Sequence, residues 1–152
     1  NPVFIREVEL LDERGRPCAV FDHGQRMRLR LHYDAPQRVA APNFVVSVIR
    51  NDNVGCCNYN TVSDGFSLPS IQGRGTLELQ TPPLKLVSEG YTTQVLVWAN
   101  GFERLLCAQT GPSFQVRDPL LSTHFGVFHE PAERWSHAGG TPVAAHAPPP
   151  TA

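Results

Sequence analysis

Polar and apolar residues alternate along most of this chain. Between residues 26 and 33 the alternation is strict. Met27, Leu29, Leu31 and Tyr33 share one face, and Arg26, Arg28, Arg30 and His32 share the other. A period of two is the signature of a half-buried strand. Residues 3–11 predict an earlier strand with Phe4, Val8 and Leu10 on one face, closed by the polar run 12–17. Residues 43–51 are apolar on both faces, as the central strand of a layered fold is. Residues 76–80 turn Leu77 and Leu79 inward, and residues 91–100 predict a second central strand. Residues 102–109, 113–117 and 120–130 follow as further strands.

Turn signals separate these runs: Ala35-Pro36, Asn51-Asp52-Asn53, Ser63-Asp64-Gly65, Pro82-Pro83, Glu89-Gly90, Asn100-Gly101 and Gly111-Pro112. Gly73-Arg74-Gly75 reads as a short glycine pair in a turn. Short strands with this punctuation predict an all-β sandwich or barrel. No segment carries a long helical period. At most a helical turn is expected around residues 84–88, as the crossing before a strand. From Ser136 the composition shifts to Pro, Ala and Gly, which divides the chain into a folded domain, 1–135, and a disordered tail or linker, 136–152.

Composition narrows the function. The chain has 152 residues, enough for one domain with a real core. Thirteen basic residues against 14 acidic ones leave a net charge of −1, which argues against nucleic acid as a partner. No apolar run approaches the ~18 residues that a transmembrane helix needs. Cys56 and Cys57 are adjacent and Cys18 and Cys107 are remote, so neither a disulfide framework nor a zinc pattern is expected. Reduced thiols point to the cytosol. His124 and His129, five apart on an expected strand, fall on opposite faces, and no metal site or cofactor is expected. The common catalytic motifs are absent, and no nucleophile or acid–base pair stands out.

The informative residues are those facing outward. If Tyr91, Thr93, Val95 and Val97 face the core together with Phe44, Val46 and Val48, the outer face carries Val45, Ile49, Leu96 and Trp98 beside Ser47 and Gln94. Such a patch marks an interaction surface unless another part of the domain covers it. Stacking on Trp98, with hydroxyl selection by Gln94, Ser47 and Arg30, would suit a sugar, and His32 would line one wall with Arg30. Residues 50–61 add carboxamides, an Arg and an aromatic, among them Asn58, Tyr59 and Asn60. Planar polar groups beside an aromatic platform also suit a sugar. The same residues equally make an ordinary hairpin. Tyr91, following Gly90 at the head of a strand, matches a tyrosine corner with its hydroxyl on backbone near residues 84–87.

These segments in order resemble a known family. Val8-Glu9-Leu10-Leu11-Asp12 and Gly15 open it, followed by the Gly24 turn into residues 28–33. Pro42-Asn43-Phe44 and Ile49-Arg50-Asn51-Asp52 come next, then Asn60-Thr61, Leu84, Leu86 and Glu89-Gly90-Tyr91. Phe114-Gln115-Val116, Gly126-Val127 and Trp135 close it. The pattern resembles the C-terminal carbohydrate-binding domain of the ATP-binding subunit of bacterial polysaccharide exporters, the Wzt type. Asn53 stands where a glycine is commoner in that family's turn.

The resemblance implies an immunoglobulin-like β-sandwich with Greek-key connections. It implies a homodimer made by exchange of a C-terminal strand. It also implies binding, without catalysis, to the terminal cap of a lipid-linked O-antigen-type polysaccharide, which is thereby selected for export. An ATPase domain would precede Asn1, a membrane-spanning exporter subunit would be the partner of the whole protein, and the location would be cytoplasmic, peripheral to the inner membrane. The rival expectation is a structural or protein-interaction sandwich whose outer patch serves dimerisation. A glycan-modifying enzyme is a third, without residues to support it.

Overall fold

The computed structural model describes residues 2–120 and 126–140. Eight strands form two sheets: β1 (Phe4–Leu11), β2 (Val20–Asp22), β3 (Arg28–Ala40), β4 (Pro42–Arg50), β5 (Gly55–Asn60), β6 (Ser70–Gln80), β7 (Glu89–Ala99) and β8 (Arg104–Arg117). The first sheet runs β1-β3-β6 and the second β2-β8-β7-β4-β5. Only β4–β5 and β7–β8 join sequence neighbours within a sheet; every other connection crosses the sandwich. This is an all-β, immunoglobulin-like sandwich, as expected.

Period two decides the core. Leu29 and Leu31 of β3 are buried, as are Phe44, Val46 and Val48 of β4 and Tyr91, Val95 and Val97 of β7. These residues meet in one cluster between the sheets with Phe21, Leu86 and Phe114. Burying such side chains stabilises a fold by about 1.5–3 kcal/mol each. The inner faces of both central strands are those expected; on the outer face Ile49, Leu96 and Trp98 are half-buried, but Val45, expected in the open patch, is itself buried.

Where the expectations fail, the cause is a register shift. In β1 the ladder slips between Ile5 and Glu7, which reverses parity. Ile5 is therefore 7% exposed and Phe4 46% exposed, although alternation alone places Phe4 inward. The Ala35-Pro36 turn does not form, because β3 runs on to Ala40 with a shift between Ala35 and Val39. β1 pairs with β3 only as far as Asp34, so the missing Pro36 N–H faces no ladder there. Opposite this shift lies Gly73, at φ +78, in mid-β6 rather than in a turn. Gly75 pairs with Tyr33, and a Cβ there would collide with the Tyr33 ring. Gly111-Pro112 is also no turn. β8 is one strand, and both residues oppose Thr93, whose buried hydroxyl donates to the Pro112 carbonyl at 2.8 Å.

Other segments differ through local pairing. Residues 84–88 form no helical turn; Leu86 bridges to Phe128, and the Val87 N–H donates to the Val127 carbonyl at 3.0 Å. Glu89-Gly90 opens β7 instead of forming a turn. β2, too short to announce itself, lies parallel to the end of β8 and inserts the fully buried Phe21. Of the strand expected over residues 120–130, residues 121–125 lie outside the described residues. So do residues 141–152 of the expected tail.

Two polar contacts tie the sandwich together. The Tyr91 hydroxyl donates to the Val87 carbonyl at 2.6 Å with the ring buried, which is the expected tyrosine corner. Asn43, 0% exposed, sits at the head of β4. Its Oδ1 accepts from the Thr61 hydroxyl and the Val62 N–H, both at 3.2 Å, and its Nδ2 donates to the Gly101 carbonyl at 3.2 Å. One buried carboxamide thus joins the β5–β6 loop to the β7–β8 turn.

Tyr91→Phe is expected to lose about 1 kcal/mol of unfolding free energy, the net value of one hydrogen bond, in a denaturant titration with unchanged slope. Asn43→Ala is expected to cost more, about 2–3 kcal/mol, because it removes three hydrogen bonds at once and leaves the part-buried Val62 N–H and Gly101 carbonyl without a protein partner. A cost no larger than that of Tyr91→Phe would show that water replaces the carboxamide.

Candidate functional site

The antiparallel registers align one residue from each of four strands across the outer face of the larger sheet. Asn58 (β5) pairs with Ser47 (β4), Ser47 with Gln94 (β7), and Gln94 with Thr110 (β8). Ser47 and Gln94 are half-buried and Asn58 is exposed, so this row is open to solvent. Asn58, Ser47, Gln94, Ile49 and Cys56 border a shallow concavity of about 430 Å3. None of its lining side chains carries a formal charge. The row offers carboxamide and hydroxyl groups, which donate and accept hydrogen bonds but supply no nucleophile–base pair.

Above the row the face becomes apolar. Val45 and Leu96 pair across β4 and β7, and Asn43 pairs with Trp98. The Trp98 ring is half-buried and packs edge-on against Phe102, with centroids 5.7 Å apart. Its Nε1 is buried without a hydrogen-bond partner among the described residues. The face is therefore a polar row bounded at one end by an aromatic pair. Trp98 serves as a wall more than as an open platform.

The structure brings Trp98, Gln94, Ser47 and Asn58 onto one surface, and places the other expected contacts elsewhere. Arg30 and His32 belong to β3 and lie on the outer face of the opposite sheet, so they line no wall of this groove. There Arg30 Nε is 3.2 Å from Glu78 Oε2, and His32 bridges Glu9 Oε2 at 2.8 Å and the Thr76 hydroxyl at 3.1 Å. Tyr59 points inward to the core, where burial pushes its hydroxyl well above the ordinary tyrosine range. Asn60 is buried and shapes the turn. Its Oδ1 accepts from the Ser63 N–H at 2.7 Å, and its Nδ2 donates to Asn58 Oδ1 at 2.9 Å.

The β4–β5 connection is a structural hairpin. Arg50 makes a bidentate pair with Asp52, both contacts at 2.9 Å, and this hydrogen bonding holds the Asp52 carboxyl below its usual range. Asn53 adopts φ +66, which explains why a glycine suits this turn and why asparagine serves in its place.

Metal and thiol chemistry find little purchase. Spacing along one strand could not reveal that Glu7, Glu9 and His32 come together, with ligating atoms within 4.8 Å. The Glu9 carboxylate is already engaged by His32 and by Arg30 at 3.8 Å. The four cysteines are free, and burial raises the Cys56, Cys57 and Cys107 thiols, away from reactive thiolate. Thr110 joins the row because β8 runs unbroken past Gly111-Pro112, which the turn signals there do not show.

The chain was compared with known proteins. The family model of the Wzt C-terminal domain matches residues 2–127. Among solved structures, the crystal structure of the C-terminal domain of Wzt superposes with a TM-score of 0.76 at 12% identity, covering 90% of this chain and 85% of that one. The alkylpurine DNA glycosylase AlkC of Pseudomonas fluorescens, bound to DNA with an abasic site analogue, reaches 0.48 at 14% identity over 77% of this chain and 31% of its own. A β-glucuronidase of Parabacteroides merdae reaches 0.43 at 14% over 77% and 14%. These two scores are too low to bear on function. No curated protein sequence matches the chain. The family match and the shared sandwich together show that this chain belongs to the Wzt C-terminal domain family, carbohydrate-recognition domains of O-antigen export that bind without catalysing.

Proposed function

We propose that this domain recognises the terminal cap of a lipid-linked O-antigen-type polysaccharide and so selects the finished chain for export by an ABC transporter. The observation that carries this reading is the open, uncharged row Asn58–Ser47–Gln94–Thr110 on a family member's larger sheet. A glycan needs many modest hydrogen bonds and one apolar contact, and this surface supplies both. Gln94, Ser47 and Asn58 choose among hydroxyls, and the Trp98–Phe102 pair packs against C–H faces.

In the whole protein an ATPase domain would precede this one, and a membrane-spanning exporter subunit would be its partner. The domain would then sit on the cytoplasmic side, peripheral to the inner membrane. No helix among the described residues is long and apolar enough to cross a membrane. A homodimer by exchange of the segment after β8 completes the proposal. It is supported by the bridge from Leu86 to Phe128, a contact that the same segment of a second copy can make equally well.

Titration calorimetry with O-polysaccharide from the cells that encode this chain tests the reading. Trp98→Ala is expected to stay folded and to weaken binding by about 1–3 kcal/mol, the scale of one large side chain's contact. Gln94→Ala is expected to cost about 1 kcal/mol. If both variants bind as the parent does, the face serves assembly instead. Removal of the chain after Asp118 is expected to give a monomer or aggregate in light scattering. A truncated protein that remains a soluble dimer would reject the strand exchange.

A further inference from the structure

A second concavity lies at the end of the sandwich where β4 begins and β7 ends. It measures about 430 Å3, within the ~300–1,000 Å3 typical of small-molecule sites. The Ala41 corner forms its base, the β5–β6 loop supplies Val62, Phe66, Ser67 and Leu68, and Asn100 closes it from the β7–β8 turn. None of its lining side chains carries a formal charge. An adjoining cleft shares Phe66 and carries the carboxylates Asp64 and Glu78 beside Tyr59 and Leu77. Phe66 is 55% exposed, and Phe102 at the turn is 56% exposed, so two phenyl rings stand in water at this end.

The concavity is built rather than left over. Asn43, wholly buried, uses its carboxamide on the Val62 N–H and the Gly101 carbonyl, one on each flanking loop. The Ala41 N–H donates to the Pro69 carbonyl at 2.9 Å, and the Asn100 N–H donates to the Ala41 carbonyl at 3.0 Å. Three chain segments are thereby locked around one corner. Ala41 at φ +46 and Asn100 at φ +50 hold left-handed backbone there, which side-chain-bearing residues seldom adopt. A locked site loses little entropy when a ligand enters it.

The concavity also continues the face already described. Asn43 and Trp98 are paired at its edge, and Trp98 contacts Phe102. A glycan lying along the row from Ser47 and Gln94 towards Trp98 runs out at this corner. We infer that the end cavity receives the last sugar of the chain, and that this sugar end is uncharged, presenting a C–H-rich face to Phe66. This rests on the glycan-recognition reading above. A phosphorylated or carboxylated end would find no cationic partner among the lining side chains to hold it.

The test uses O-polysaccharide released from the lipopolysaccharide of the cells that encode this chain. Two fragments of it are also needed, one bearing the non-reducing end and one internal repeat. Phe66→Ala is expected to weaken polysaccharide binding at least tenfold, with unchanged melting temperature. Ser67→Trp, which fills the cavity without removing a contact, is expected to do the same and guards against loop collapse in the truncation. Phe4→Ala, an exposed aromatic on the other sheet, is expected to leave affinity unchanged. The end-bearing fragment should compete with the polymer, and the internal fragment should not. If Phe66→Ala and Ser67→Trp bind normally while Gln94→Ala binds weakly, the end cavity is rejected and the sheet-face reading stands. If the parent domain binds no polysaccharide, both fall. If the competing end carries phosphate or carboxylate, the uncharged assignment is overturned.

Discussion

The antiparallel register between β4 and β7 is the constraint on which the rest of this structure depends. It runs unbroken from Pro42–Ala99 to Arg50–Tyr91 and is the longest ladder in the larger sheet without a shift. Because parity is preserved along its whole length, every second residue of both strands is committed to the core. The residues between them face the other way, where Ser47, Ile49, Gln94 and Trp98 are half-buried and Asn43 and Val45 are covered. A slip of one position would bury Ser47 and Gln94 and expose Val46 and Val95, so the hydrophobic effect holds the register firmly. The neighbours β5 and β8 then extend the same rows, and the polar line from Asn58 to Thr110 follows from that pairing.

The two outer faces of the sandwich differ in kind. On the smaller sheet, outward positions are ionic: Arg28 and Arg30 meet Glu78, and Glu9 meets Arg30 and His32. These side chains satisfy one another, and exposed pairs of this sort add little stability. Their effect is to keep an open sheet face from stacking on another sheet. On the larger sheet the outward row is neutral and its carboxamides are not consumed by ion pairs. A neutral, hydrogen-bonding ligand competes there with water and with the Asn60–Asn58 side-chain hydrogen bond, whereas on the charged sheet it would have to displace salt bridges. The chemistry of the faces therefore favours the larger sheet as the ligand side, independently of the family match.

Much of this was legible in the sequence. Strict alternation in residues 26–33 and two-sided apolarity in residues 43–51 give the strand type and the core face directly, and Gly90-Tyr91 gives the corner. What alternation cannot show is a register shift, since one extra residue reverses every side chain beyond it. Ile5, Pro36, Gly73 and Gly111 all lie at or beside such shifts, and three of these four are residue types usually read as turn signals. The site was half legible for a related reason. Trp98, Gln94 and Ser47 share a face by parity, which sequence reports. Whether β3 sits beside β4 or across the core from it is a matter of topology. Parity is silent on that, and so Arg30 and His32 were grouped with a surface they do not reach.

Asn43 shows how the two levels meet. Its position on β4 is outward by parity, the same side as Ser47, yet it is fully buried because two loops close over it. A leucine there would satisfy the burial but leave the Val62 N–H and the Gly101 carbonyl without partners, and buried polar groups of that kind are costly. The carboxamide suits the place because it both accepts and donates, so one side chain can serve two loops that are remote in sequence. A stable framework strand thus sets the geometry of the loops above it. Loop residues that stand off this strand, such as the exposed Phe66 and Phe102, can then change without disturbing the ladder below.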